Sequence, residues 1–180
     1  MKFILTIAML LLSAITGFAA DPKPVTTVPE IDLSKYMGVW YEIARYDNWF
    51  QRKCASHTTA TYSLQPDGTI KVVNRCKTAD GNWKEAGGVG RKQTPNGSNT
   101  KLEVRFAPEW MGWMSMVWGT YWIIDLAPDY SYAVIGDPDR KYLWILARTA
   151  TIEPTVLQSI RTRLQEIGYD PNLLLFTKQD

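Results

Sequence analysis

The sequence predicts an all-β fold, an eight-stranded antiparallel up-and-down barrel followed by one helix, and three observations carry that reading. Between Gly38 and Thr149, short runs rich in Val, Ile, Thr, Tyr and Trp recur, each bounded by turn residues. The runs follow one another as a meander, without the long crossovers that parallel strands need. After Arg148 the apolar spacing changes to a helical repeat. At 180 residues, less a leader, the chain has room for one domain with one substantial core.

The elements read as follows. Met1-Lys2, an apolar run from Phe3 to Leu12 and small residues up to Ala19-Ala20 form a secretory signal over 1–20, too short to span a bilayer. A Pro-rich tether covers 21–30 and the folded domain 31–180, beginning with a helical turn at Leu33–Tyr36. Strands are expected at 39–47, 57–64, 69–77, 83–92, 100–106, 117–126, 130–137 and 141–149. Gln65-Pro66-Asp67-Gly68, Asp80-Gly81, the Thr94–Asn99 stretch, Ala127-Pro128-Asp129 and Gly136-Asp137-Pro138-Asp139 are turns on chemical grounds. Asp137, Asp139 and Arg140 read as solvated turn residues. Pro154 opens a helix whose apolar face is Val156, Leu157, Ile160, Leu164 and Ile167, Gly168 ends it, and Asn172–Thr177 forms one more edge strand.

Cys54 and Cys76 flank the first hairpin, and export would place them where thiols oxidise. Folding about Asp67-Gly68 brings them nearly opposite, so a disulfide is expected, stabilising by about 3 kcal/mol in the chain-entropy model. A net charge of +2 with dispersed Lys and Arg gives no nucleic-acid signature. No metal-ligand cluster, phosphate-binding Gly motif or dinucleotide fingerprint appears, so neither a cofactor nor a metal is expected. Eight Trp and nine Tyr are the compositional anomaly.

Gly38-Val39-Trp40-Tyr41-Glu42-Ile43-Ala44-Arg45-Tyr46 opens the strand series, and Tyr142-Leu143-Trp144-Ile145-Leu146-Ala147-Arg148-Thr149 closes it. Gly38 lets the backbone bend, Trp40 buries a large ring, and Arg148 can lie over it in a cation–π contact worth about 0.5–2 kcal/mol. With Asp129-Tyr130 between them, these features resemble the lipocalin family over about residues 31–176, most nearly its bacterial and apolipoprotein D-like branches. The resemblance implies a helix packed outside the barrel and a base built from Gly38, Trp40, Tyr130 and Arg148. It also implies a carrier or store of small hydrophobic ligands such as fatty acids or (lyso)phospholipids in the cell envelope, and no catalysis. The alternative is a lipid-modifying enzyme of the same fold. Many bacterial relatives carry a lipid-anchored Cys after the signal. With no Cys before Cys54, release into the periplasm or medium is expected, as monomer or homodimer.

A barrel of this size either fills itself or holds one small ligand. Alternation assigns to the lining Ala44, Thr58, Ala60, Tyr62, Val72, Asn74, Val104, Phe106, Tyr121, Ile123, Ala133, Ile135, Tyr142, Trp144 and Leu146. A slip of one residue would exchange the two faces. Trp110-Met111-Gly112-Trp113-Met114 lies between strands five and six, at the mouth in the resemblance. Trp110, Trp113 and Met114 there form a lid or a membrane-touching edge, fold inward, or pack in a dimer. The one His, His57, stands beside Ser56 and Cys54 without the nucleophile elbow of a hydrolase.

Overall fold

The computed structural model describes residues 23–180. The expected signal, and the start of the tether, lie outside them. Nine strands form one sheet: β1 Gly38–Arg45, β2 Ser56–Leu64, β3 Ile70–Lys77, β4 Trp83–Lys92, β5 Lys101–Arg105, β6 Gly119–Leu126, β7 Tyr132–Gly136, β8 Leu143–Ala147 and β9 Leu175–Phe176. Each of β1 to β7 pairs antiparallel with the next, and β1 pairs with both β2 and β8, which closes the barrel. Strands 5 to 8 are shorter than expected. The missing residues belong to connections such as the 3-10 turn Ser115–Val117.

Two clusters divide the core by face. Inside the barrel lie Trp40, Ala60, Tyr62, Ile70, Val72, Leu102, Tyr121, Ile123, Ala133, Ile135 and Leu146. Outside, α2 (Pro154–Glu166) buries Ile160 and Leu164 against Ile43, Ala44, Val134, Leu143 and Ile145. Arg163 fixes the helix by pairing with Asp125 at 2.7 Å and donating to the Tyr132 hydroxyl. Beyond Gly168 (φ +81°) Tyr169 turns back; its hydroxyl accepts from the Asp137 amide and donates to the Asp137 carbonyl. A Cβ on Gly136 would fall 2.3 Å from that hydroxyl, so no larger residue fits. Asp137 is therefore not solvated: it is buried, accepting from the amides of Asp139 and Tyr142.

The lining assignment of Ala44 is corrected here. Glu42 pairs with Leu146, but Ala44 pairs with Ile145, so a bulge at Ile43 adds one residue to β1. The bulge reverses the phase, turning Ala44 outward beneath α2 and Arg45 to the face of its partner Trp144.

The closed end is built by α1 (Leu33–Tyr36), whose start Asp32 caps by accepting from the Ser34 amide. Trp40, fully buried, donates through Nε1 to the Tyr36 carbonyl. The Arg148 guanidinium lies 3.8 Å from the Trp40 ring centre and donates to the carbonyls of Val39 and Lys35. Gly38, at φ +97°, lets Arg148 approach, and the Tyr130 hydroxyl accepts from the Asp32 amide.

Candidate functional site: the barrel interior

Residues paired across an antiparallel sheet share a face, so the ladder fixes what points inward. Ala60 pairs with Asn74 and Asn74 with Ala86; Tyr62 pairs with Val72 and Val72 with Gly88; Ile70 pairs with Gly90. Leu102 pairs with Tyr121, Ile123 with Ile135, and Ile135 with Trp144. Thr58, Ala60, Val72, Asn74, Tyr121, Ile123, Trp144 and Leu146 thus share the interior face. Tyr142 joins them through its stack on Trp144 at 6.0 Å.

Exposure along these rows gives the shape of the interior. Down β4 the inward positions pass from exposed Lys84 and Ala86, through half-buried Gly88, to buried Gly90. Down β8 half-buried Tyr142 and Trp144 give way to buried Leu146. The barrel is a cup, open beside the β3–β4 turn and closed at α1. Its floor is packed. The Tyr36 and Tyr121 hydroxyls lie 2.8 Å apart, and Tyr121 donates to Tyr62 at 2.9 Å. The hollow they share with Ile70, Val72, Leu102 and Val104 measures about 10 Å³, at the threshold for one water. Burial pushes the Tyr62 phenol up to about 12 and raises the other two, so all three stay protonated. A larger hollow of about 140 Å³ lies outside the barrel, between α2 and β6–β7, away from the cup.

The mouth is covered from one side by the β1–β2 connection, tied down by the Cys54–Cys76 disulfide. From it Phe50 stacks on Trp144 at 6.2 Å and lies 6.0 Å from Tyr142. Gln51 reaches in, donating to Glu42 and accepting from Trp144 Nε1 and Asn48 Nδ2. Glu42, only 3% exposed, also accepts from Thr177 Oγ1 at 2.5 Å and faces Arg45 at 3.5 Å. Burial raises its pKa, while the bonds from Thr177 and Gln51 and the Arg45 charge pull it back.

β1 and β2 part beyond the Tyr41–Thr59 pair, and the C-terminal tail fills the gap. β9 pairs with β1, the Thr177 amide donates to Ile43, and the His57 amide donates to Lys178. Gln179 Nε2 bridges the carbonyls of Glu42 and Thr58 at 2.8 Å each. Neither this tail nor the Glu42 cluster was assigned a role in the sequence; stepping by two from Trp40 would have placed Glu42 inside.

The lid assignment is corrected as well. Arg105 holds the loop of Trp110, Trp113 and Met114 through the carbonyls of Ala107 and Pro108. Trp118 lies between the guanidiniums of Arg91 and Arg105 on the outer face. The loop does not fold inward, and Trp110 and Trp113, 73% and 83% exposed, cover nothing. Met114 is half-buried, and the exposed methionine is Met116. With Trp49, Phe50, Trp83 and Phe106 these residues leave the open end rimmed by apolar side chains. His57, in the left-handed region at φ 52°, bonds Ser56 and meets the edge of Trp83.

Residues 31–179 match the model of a lipocalin-like domain. The chain is 39% identical over 160 residues to temperature-induced lipocalin-1 of Arabidopsis thaliana, covering 88% of this chain and 85% of that protein. It is 36% identical over 168 residues to the outer membrane lipoprotein Blc of Vibrio cholerae, covering 92% of each. Among solved structures it is similar to insecticyanin of the tobacco hornworm Manduca sexta, with TM-score 0.63 and 22% identity over 90% of this chain and 86% of that one. At that identity the likeness speaks for the fold.

Proposed function

This chain belongs to the lipocalin family, whose barrels bind small hydrophobic ligands, and from that premise we propose that it carries or stores single-chain lipids, fatty acids or lysophospholipids, without transforming them. The observation that carries the reading is the graded cup, exposed at Ala86, buried at Gly90 and walled by Trp144, Tyr142 and Phe50. Burying an acyl chain there would contribute about 0.8 kcal/mol per methylene. On this reading the ligand occupies the upper half of the barrel, above the packed floor. The lid of this cup is Phe50 with Gln51.

The exported location belongs to the same reading and rests on the leader at 1–20; the Vibrio relative is named as an outer membrane protein. The apolar rim of Trp49, Trp110, Trp113 and Met116 suits transient contact with a lipid surface, where Trp partitions to the interface. An enzyme would need a titrating group in reach of the ligand. His57 instead meets Trp83, and both oxygens of Glu42 are taken.

The test is mass spectrometry of the organic extract from protein purified without detergent, followed by tryptophan-fluorescence titration with the lipid found. A stoichiometric, intact single-chain lipid is expected. An empty barrel that also refuses such lipids would remove the carrier reading, and a processed lipid would favour the enzyme. Replacing Trp110, Trp113 and Met116 with Ser should weaken vesicle binding several-fold while leaving the affinity for free lipid unchanged.

A further inference from the structure

The polar side chains inside the barrel are almost all used by one another. Glu42 gives its two oxygens to Thr177 and Gln51, Gln51 serves Glu42, Trp144 and Asn48, and the three floor tyrosines bond together. Of the polar groups left over, Asn74 Oδ1 and the Lys84 ammonium lie on the same wall. Asn74 Oδ1 is shut off from solvent and has no hydrogen-bond partner. Its neighbours across the ladder are Ala60 and Ala86, so the carboxamide is flanked on both sides by short side chains. One row nearer the mouth, Lys84 pairs with Cys76 on the same inner face. That is about 7 Å up the wall, two residues along the strand. Lys84 is exposed and joins no salt bridge among the described residues, and Glu85 beside it points to the other face.

A buried carboxamide oxygen without a partner lacks a donor, and native structures rarely leave such an atom unmatched. Turning the amide over would only exchange an orphan acceptor for an orphan donor. A hydroxyl or an amide, which both donates and accepts, suits the position either way. An ionised carboxylate, which only accepts, does not. The free ammonium above is the complementary point for an anion, and the apolar floor below takes the chain.

We propose that Asn74 determines specificity in the cup, selecting single-chain amphiphiles that carry a hydroxyl or amide next to an anionic head. The hydroxyl or amide sits on Asn74, and the anion on Lys84. This rests on the carrier reading and adds to it which lipids bind well. A plain fatty acid enters the same cup but leaves Asn74 unmatched, and sites built to hydrogen-bond a ligand discriminate strongly against the analogue lacking the group.

The experiment compares dodecanoate with 3-hydroxydodecanoate, which differ by one hydroxyl, by fluorescence titration of the full chain. Wild-type protein should prefer the hydroxy acid by about tenfold, equivalent to ~1.4 kcal/mol. Asn74→Leu and Asn74→Ala should each abolish the preference, bringing the two acids within about twofold of each other. Lys84→Gln, at an exposed position, should weaken both acids equally. Equal binding of the two acids by wild type, or a preference that survives both Asn74 variants, overturns the proposal and leaves the carrier intact. A barrel that binds neither acid overturns the carrier reading and this proposal together.

Discussion

The two ends of the barrel are made in different ways from the same strands. At the closed end one interlocked unit, Trp40, Tyr36, Arg148 and Tyr130, fills the space between α1 and the strands, joined by bonds of 2.6 to 2.9 Å, of which the one from Trp40 to Tyr36 is buried. At the open end the wall is pieced together from a disulfide-tied connection, a bulged strand, a C-terminal tail and a loop held from outside by Arg105. The closed end packs Tyr36, Trp40 and Tyr62 together out of solvent, whereas the open end keeps rings such as Trp110 and Trp113 in solvent. With the proposed function, stability and recognition fall at opposite ends, and a substitution should disturb one with little effect on the other.

The strongest way to break that separation is Trp40→Ala. It should cost about 3–5 kcal/mol, read as a fall in the urea midpoint, by emptying the one volume that α1, β1 and Arg148 share. If the loss were under 1 kcal/mol, the closed end would not be the anchor of the fold. Next in size is replacing Cys54 and Cys76 together with Ser, expected to cost about 3 kcal/mol. Here hydrogen exchange should rise at 46–58 and stay slow at the Tyr36 and Trp40 amides; uniform acceleration would mean that the two ends unfold as one.

The smallest effect concerns pH. Burial raises the pKa of Glu42 in the folded state, so the folded state holds this proton more tightly than the unfolded one. The stability linked to Glu42 is then fully present below its ordinary carboxylate range and is lost as pH rises through the raised value. Urea unfolding of wild type and Glu42→Gln across pH 4 to 7 should show wild type gaining on the variant as the solution is acidified. A constant difference between the two proteins would mean that Glu42 titrates alike in both states.

How much of this was legible in the sequence follows the same division. The closed end is written in local signals: Gly38, Trp40, Tyr130 and Arg148 each sit at a strand or turn boundary whose chemistry is visible in neighbouring residues. The inward phase of β2, β3, β6 and β8 follows from strict alternation, which those strands keep over the residues that matter. Ala44 escaped because a bulge is a feature of pairing, and nothing in Glu42-Ile43-Ala44 announces an extra residue. Alternation also brought Asn74 inside, yet only the packed structure shows that no protein group answers its oxygen. The tail was legible as one more strand but not as the patch between β1 and β2, because that place exists only where those two strands diverge.

The bonds from Gln179 to the Glu42 carbonyl and from Thr177 to its carboxyl join residues more than 130 positions apart. Sheets dominated by such distant partners form slowly, since the chain must close its largest loop before any contact rewards it. During synthesis β1 is therefore made early and waits for the last few residues of the chain, leaving a bare strand edge beside Ile43 and His57 until they arrive. Sealing the cup is a late event in folding, and anything fused behind Asp180 would sit at the seam.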